Sequence, residues 1–420
     1  MNIIFLSLII YSYEKFTFVF KTSNQNGTFY VRNMDNIMIT NIDVGNPEVT
    51  IPFEIKIRQY PLLLTDVLSN VRKDIPLYNP SKSSSFNENE WAGALEFKFE
   101  EYFRIVFIAQ EDFIFSEEKI NGHQLNFFLV REAKKNYSGI LGLSIYKNEN
   151  YNKYGFMTQI KKNKLIQKQM FYFNFEENKI IFGEYPHIIS PKKYLEKNYC
   201  SVKAYFESNE QNYDILFDNV TFIKNGYNEI DQVVELNIES GLFKGNSNFG
   251  KYLSENYFVK FSDCEKVTIM DKYYSYVCLK KNAMDKFEDI TFNLKDEKMA
   301  FYLTKKDLFK EEDGKYYFLM YFNEKEDLRW SFGKNFFVNN MIVFDVDKKE
   351  IGHYFQQKTN HYNTGWFIVI IIILIIFVVV LGGLLYYHII NKPRKKRANE
   401  LEDNYEYYSS INEDNKTSLT

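Results

Sequence analysis

Cysteine is scarce in this 420-residue chain. Only Cys200, Cys264 and Cys278 occur, too few for a disulfide framework or a thiolate metal cage. Histidine is as thin: His123, His187, His353, His361 and His388 stand singly, with no HxH or HExxH arrangement, so neither a metal nor another cofactor is expected. Charge of one sign is missing too, and a formal net charge of −3 gives no basis for coating nucleic acid. What is present is apolar surface: 45% of residues are hydrophobic and 18% aromatic, enough for one large core or two medium ones. Phe and Tyr are interleaved with Ile, Val and charged residues, a mixture that favours strands. The expected class is mainly β. Cys264 and Cys278 bracket the polar stretch EKVTIMDKYYSYV, which reads as a turn between strands; in an oxidising compartment a bridge across it is open to them, leaving Cys200 over.

Charge is wholly absent from WFIVIIIILIIFVVVLGGLLYY, residues 366–387. At about 1.5 Å per helical residue this run spans a hydrocarbon core of roughly 30 Å. Aromatic residues stand at both its ends, and Lys392, Arg394, Lys395, Lys396 and Arg397 follow, which places the carboxyl tail in the cytoplasm. The basic cluster has the composition of a nuclear signal, but beside a membrane span topology and attraction to anionic lipids account for it. Residues 388–420 are polar and acidic and read as a disordered tail, in which Tyr408-Ser-Ser-Ile411 has the form of a tyrosine-based sorting signal.

Residues 1–15, MNIIFLSLIIYSYEK, hold an apolar stretch of signal-peptide length without basic residues ahead of it. It reads as a buried first strand or as a signal peptide. The topology favours the second, because the chain between this stretch and the span then lies on the lumenal or external side of a secretory-pathway or surface membrane. On that side Asn26, Asn136 and Asn219 are glycosylation candidates.

Between the two apolar segments, residues 30–64 alternate around a hairpin turn at VGNPE, and ALEFKFEEYFRIVFIAQEDFIF and NGHQLNFFLV supply further strands. YSGILGLSIY reads as an apolar turn punctuated by glycine. Helical spacing of Met157, Ile160 and Leu165 marks one helix before a strand resumes at Met170. EYPHIISPKKYLEKNY reads as a linker between two β lobes, residues 30–188 and 189–360; the second lobe has a strand running into the turn LNIESG.

The order of these pieces resembles the pepsin-like aspartic peptidase family. DVGNPEVTIPFEI matches the hairpin with its G-T-P-like turn, YNPSKSSSF matches F-x-P-x-x-S-S-T, and SGILGLS matches D-G-I-L-G-L-G. FMTQIKKNKLIQKQMFYFNF with KIIFGEY matches the inter-lobe helix and following strand, IESG the second D-S-G, and WSFGKNFFVNNMIVFDVDKKEIG the closing W-x-x-G-x-x-F pattern. Together they cover about residues 35–357. The resemblance implies a bilobal β fold with a cleft between lobes, a second-lobe disulfide at Cys264 and Cys278, and two carboxyl groups about 3 Å apart that share one proton. One is the base that activates water and the other the acid that polarises the scissile carbonyl.

Both motifs depart from the family. Counted without gaps from Gly45, the positions of the first D-T-G-S fall on Lys56-Ile57-Arg58-Gln59, so a lysine takes the place of the first acid; Glu239 takes the place of the second. A gapped alternative brings Asp66 to the site, and the flap tyrosine position falls on Phe99. Three functions follow as expectations. The first is an inactive, membrane-anchored homologue whose inter-lobe cleft binds a peptide or protein partner, with Lys56 and Glu239 either ion-paired across the lobes or each solvated. The second is an active tethered acid endopeptidase using Glu239 with Asp66 or another acid. The third is a rigid extracellular module.

Overall fold

The computed structural model describes residues 16–24, 28–34, 36–57, 62–69, 75–97, 101–115, 120–132, 138–144, 153–205, 213–222, 226–294, 300–354 and 361–417. Residues 1–355 and 356–420 form two compact units.

The first unit is mainly β, as expected. Its described strands form three sheets. An eight-stranded sheet is built from strands between Lys21–Asn24 and Gly139–Gly142, and an eleven-stranded sheet from strands between Asp214–Phe222 and Trp330–Phe332. A six-stranded sheet draws on both ends of the unit, in the order Phe16–Val19, Lys179–Phe182, Met170–Asn174, Ile342–Asp345, Glu350–Tyr354, Tyr199–Lys203. The chain enters the fold earlier than the sequence reading placed it: Phe16 pairs with Phe182 and their rings stack at 4.5 Å. Residues 1–15 lie outside the described residues.

One strand frame recurs in the two larger sheets. In the first, Val49–Lys56 runs parallel to Gly139–Gly142, which is antiparallel to Leu62–Thr65, which is parallel to Ile120–Val130. In the second, Tyr227–Leu236 runs parallel to Trp330–Phe332, which is antiparallel to Phe243–Lys244, which is parallel to Met320–Asn323. The local reason is visible in Val49–Lys56, where Ile51, Phe53 and Ile55 are buried and Pro52, Glu54 and Lys56 take the other face, the two-residue period of a strand.

Gly139–Gly142 corrects the sequence reading, which took this stretch as a turn. All four residues are buried between strands on either side, so no alternation betrays the strand. Glycine is needed at 139 because a Cβ there would lie 2.7 Å from the Phe53 ring. The helix is Phe156–Lys162, ending short of Leu165, and the strand after it is Met170–Asn174, as expected; the stretch between Cys264 and Cys278, read as a turn, is instead two strands, Cys264–Ile269 and Tyr273–Cys278, paired in a hairpin that turns only at residues 270–272.

The second unit is helical. His361–Tyr386 contains the apolar run, and the helical stretch from Ile371, whose most apolar 18-residue window has a mean hydropathy of 2.6, is long and apolar enough to cross a membrane. The tail, expected to be disordered, is helical over Lys392–Thr417. It propagates directly from the helix before it and is rich in Lys, Arg and Glu, so no separate nucleus is required.

Candidate functional site

Lys56 ends its strand opposite Gly142, and its carbonyl accepts a hydrogen bond from Leu143 N at 2.8 Å. The strand period puts Glu54 on the same face, and the Lys56 ammonium lies 3.5 Å from Glu54 Oε2. It also donates to Glu239 Oε2 at 3.0 Å, across 183 positions of sequence. The side chains of Lys56, Glu54 and Glu239 are 12%, 19% and 23% exposed, so the pair is only thinly screened by water. Glu239 Oε1 is buried and accepts no hydrogen bond among the described residues.

Glu239 is delivered by a tightly closed turn. Leu236 pairs with Phe332, Asn237 N donates to Phe332 O at 2.8 Å, and Glu239 N donates to Asn237 Oδ1 at 3.1 Å. The Ser240 hydroxyl donates to Leu242 O at 3.0 Å and accepts from Leu242 N at 3.1 Å. Lys334 N donates to Ser240 O at 2.6 Å. Gly333 packs so closely that a Cβ would lie 2.1 Å from Leu242 O and 2.6 Å from Ser240 O. Gly241 N donates to Asn33 O at 2.9 Å, and a Cβ on Gly241 would meet that oxygen at 2.5 Å. A cavity of about 310 Å³ opens beside the turn, with Met34, Asn237, Glu239, Met270, Tyr273 and Tyr321 among its walls.

The structure thus brings Lys56 and Glu239 together. It places Asp66 elsewhere. Leu62 pairs with Leu141 and Leu64 with Gly139, so Asp66 lies beyond the Ser138 level while Lys56 lies at Gly142. At about 3.3 Å per residue the two are separated by roughly 15 Å along the strands. Asp66 is fully buried, takes Arg131 Nε at 2.9 Å on Oδ2 and Leu68 N at 3.0 Å on Oδ1, and Arg131 also reaches Glu88. Those contacts make it a structural carboxylate at a strand end.

Phe99, Asn26 and Asn136 lie outside the described residues. Asn219 sits within Asp214–Phe222, paired on both sides, and its Oδ1 accepts from Asn293 Nδ2 at 2.6 Å while the Thr221 hydroxyl is buried. That sequon is part of a sheet strand rather than a loop. Cys264 and Cys278 are cross-strand partners and form a disulfide. Tyr408 and Ile411 fall in the backbone helix Lys392–Thr417. Among the described residues no cluster of three or more His, Cys, Asp or Glu is arranged to hold a metal. Sequence reasoning missed Glu54, whose signal was its two-residue spacing from Lys56, and Asn33, whose contact with Gly241 left no local trace.

Chemically, a carboxylate facing an ammonium is a closed pair. The lysine ammonium takes one oxygen of the neighbouring glutamate at 3.0 Å and brings no second carboxyl group to share a proton. A family model for eukaryotic aspartyl proteases matches residues 63–354, a span that begins just beyond Lys56 and includes Glu239. No curated protein matches the chain.

Proposed function

The chain belongs to the eukaryotic aspartyl protease family, and from that membership we propose that it is a membrane-anchored homologue without peptidase activity, whose cleft binds a peptide or protein partner. The observation that carries the reading is the 3.0 Å contact of Lys56 Nζ with Glu239 Oε2. Hydrolysis by this family's chemistry needs one carboxyl group as base and a second as acid. A lysine in the first position supplies neither. The cavity beside Glu239, walled in part by Met and Tyr, supports a binding role for the space a substrate would take.

The apolar helix anchors the protein in a secretory-pathway or surface membrane, with residues before it outside and the basic cluster and tail in the cytoplasm. The cleft then faces the lumenal or external medium.

The test is a cleavage assay on the full-length protein in detergent, using a randomised peptide pool from acidic to neutral pH, with and without a peptide that mimics the tetrahedral transition state. The expected result is no inhibitor-sensitive cleavage at any pH. Cleavage that the inhibitor blocks and Glu239→Gln abolishes would overturn the reading in favour of an active acid endopeptidase.

A further inference from the structure

Residues 29–34 form a six-residue helix, Phe29–Met34, that packs on the eleven-stranded sheet although its neighbours in sequence belong to the eight-stranded one. Lys21–Asn24 and Asn36–Val44 pair antiparallel, Lys21 with Ile39 and Asn24 with Asn36, so the helix is the tip of a hairpin closed beneath it. A helix this short, holding Phe, Tyr, Val and Asn, does not persist through its own propensity. Its receiving surface orders it.

That surface makes side-chain-specific contacts. Phe29 stacks on Tyr317 with ring centroids 4.0 Å apart, and Lys310 Nζ lies 5.3 Å from the Phe29 centroid. The Tyr30 hydroxyl donates to Tyr276 O at 2.7 Å and lies 3.1 Å from Phe318 O. Arg32 forms an ion pair with Glu312, whose carboxyl is held below its ordinary range by Lys310 and Arg32. Asn33 O caps Gly241 N, the amide next to the Glu239 turn. Two buried aromatic anchors, a paired charge and a backbone hydrogen bond are the grammar of peptide recognition.

We propose that this groove is a recognition site for segments carrying two adjacent aromatic residues and, after one further residue, an arginine, and that Phe29–Arg32 of the chain is its resident ligand. The proposal rests on the partner-binding reading above and names the partner's chemistry. A tethered ligand competes at an effective concentration on the order of millimolar, so a free segment of equal intrinsic affinity is excluded until the resident leaves. The pairing of Lys21–Asn24 with Asn36–Val44 beneath the tip involves none of residues 29–34, so release of the tip uncovers the buried Phe29 and Tyr30 without requiring a ladder bond of that hairpin to break.

The test uses full-length protein in detergent and, as probe, a fluorescent synthetic peptide with the sequence of residues 28–34, TFYVRNM. The triple variant Phe29→Ala, Tyr30→Ala, Arg32→Ala is expected to bind the probe at least about 10-fold more tightly than the wild type, as removal of a millimolar intramolecular competitor requires. Adding Glu312→Lys is expected to abolish that gain, and a control peptide with Ala for Tyr and Glu for Arg is expected not to bind. A folded triple variant that binds the probe no better than wild type, or binds the control equally, overturns the proposal. If that variant also captures other peptides from a randomised pool, the partner-binding reading survives; if it captures none, both fail. Should the triple variant lose its cooperative melt, Arg32→Glu alone decides, with tighter probe binding expected and unchanged binding contradicting the proposal.

Discussion

The two strand frames hold different turns. In the second half the turn keeps an acid, a hydroxyl and a glycine, Glu239-Ser240-Gly241, and closes through the Asn237 side chain, the Ser240 hydroxyl and the pressed backbone at Gly333. In the first half the corresponding strand ends on Lys56, and the acid that follows the next strand, the buried Asp66, stands at a different level, where Arg131 pairs with it. Yet the strand pairings around the two match step for step. The frame is therefore maintained by apolar residues such as Phe53, Ile55, Val234 and Leu236, all nearly inaccessible, and not by the residues that would carry chemistry. Retention of a fold says little about retention of a reaction.

The comparison can be broken most severely at Gly333. Gly333→Val forces a Cβ against two backbone oxygens that cannot yield, so a loss of about 4 kcal/mol or more is expected in denaturant melts, with loss of the second-half frame. A milder outcome would mean that this turn is no more constrained than its first-half counterpart.

Acidification sharpens the comparison next. Burial lowers the His353 pKa to about 4, while an unfolded histidine titrates near 6.5. Between those values the unfolded chain binds a proton that the folded chain refuses, so stability falls as pH drops from about 6.5 to about 4 and this contribution levels off below. The full shift corresponds to about 3 kcal/mol. His353→Gln should flatten the slope in that window, as read from melting at pH 4 and pH 7.

A smaller effect separates the halves by redox state. Among the described residues the one disulfide, Cys264–Cys278, staples the second-half hairpin. Cys264→Ser with Cys278→Ser is expected to cost about 2 to 3 kcal/mol. Hydrogen exchange should rise in Cys264–Ile269 and Tyr273–Cys278 and stay unchanged in Val49–Lys56.

Much of this architecture was legible in the sequence because hairpins announce themselves by alternation and turn residues, as at Gly45 and at Asp345 to Lys349. The position of Lys56 came from laying the family's spacing along the chain from Gly45, and that of Glu239 from matching Ile238-Glu239-Ser240-Gly241 to the family's second D-S-G. Gly139–Gly142 was missed as a strand because burial on both faces erases the period that identifies strands. The Phe29–Met34 helix was missed because its cause lies almost three hundred residues away in sequence, at Glu312 and Tyr317. Long-range ordering of a weak helix former leaves no local pattern.

The central claim is that Lys56 and Glu239 form a working ion pair where the family carries two acids. A double-mutant cycle with Lys56→Met, Glu239→Gln and the combination, measured as unfolding free energy at pH 7, tests it directly. The thin exposure of both groups predicts a coupling of about 1 to 2 kcal/mol, with the double variant less destabilised than the sum of the singles. Single losses that add to within about 0.3 kcal/mol would contradict the claim and leave the two as solvated neighbours.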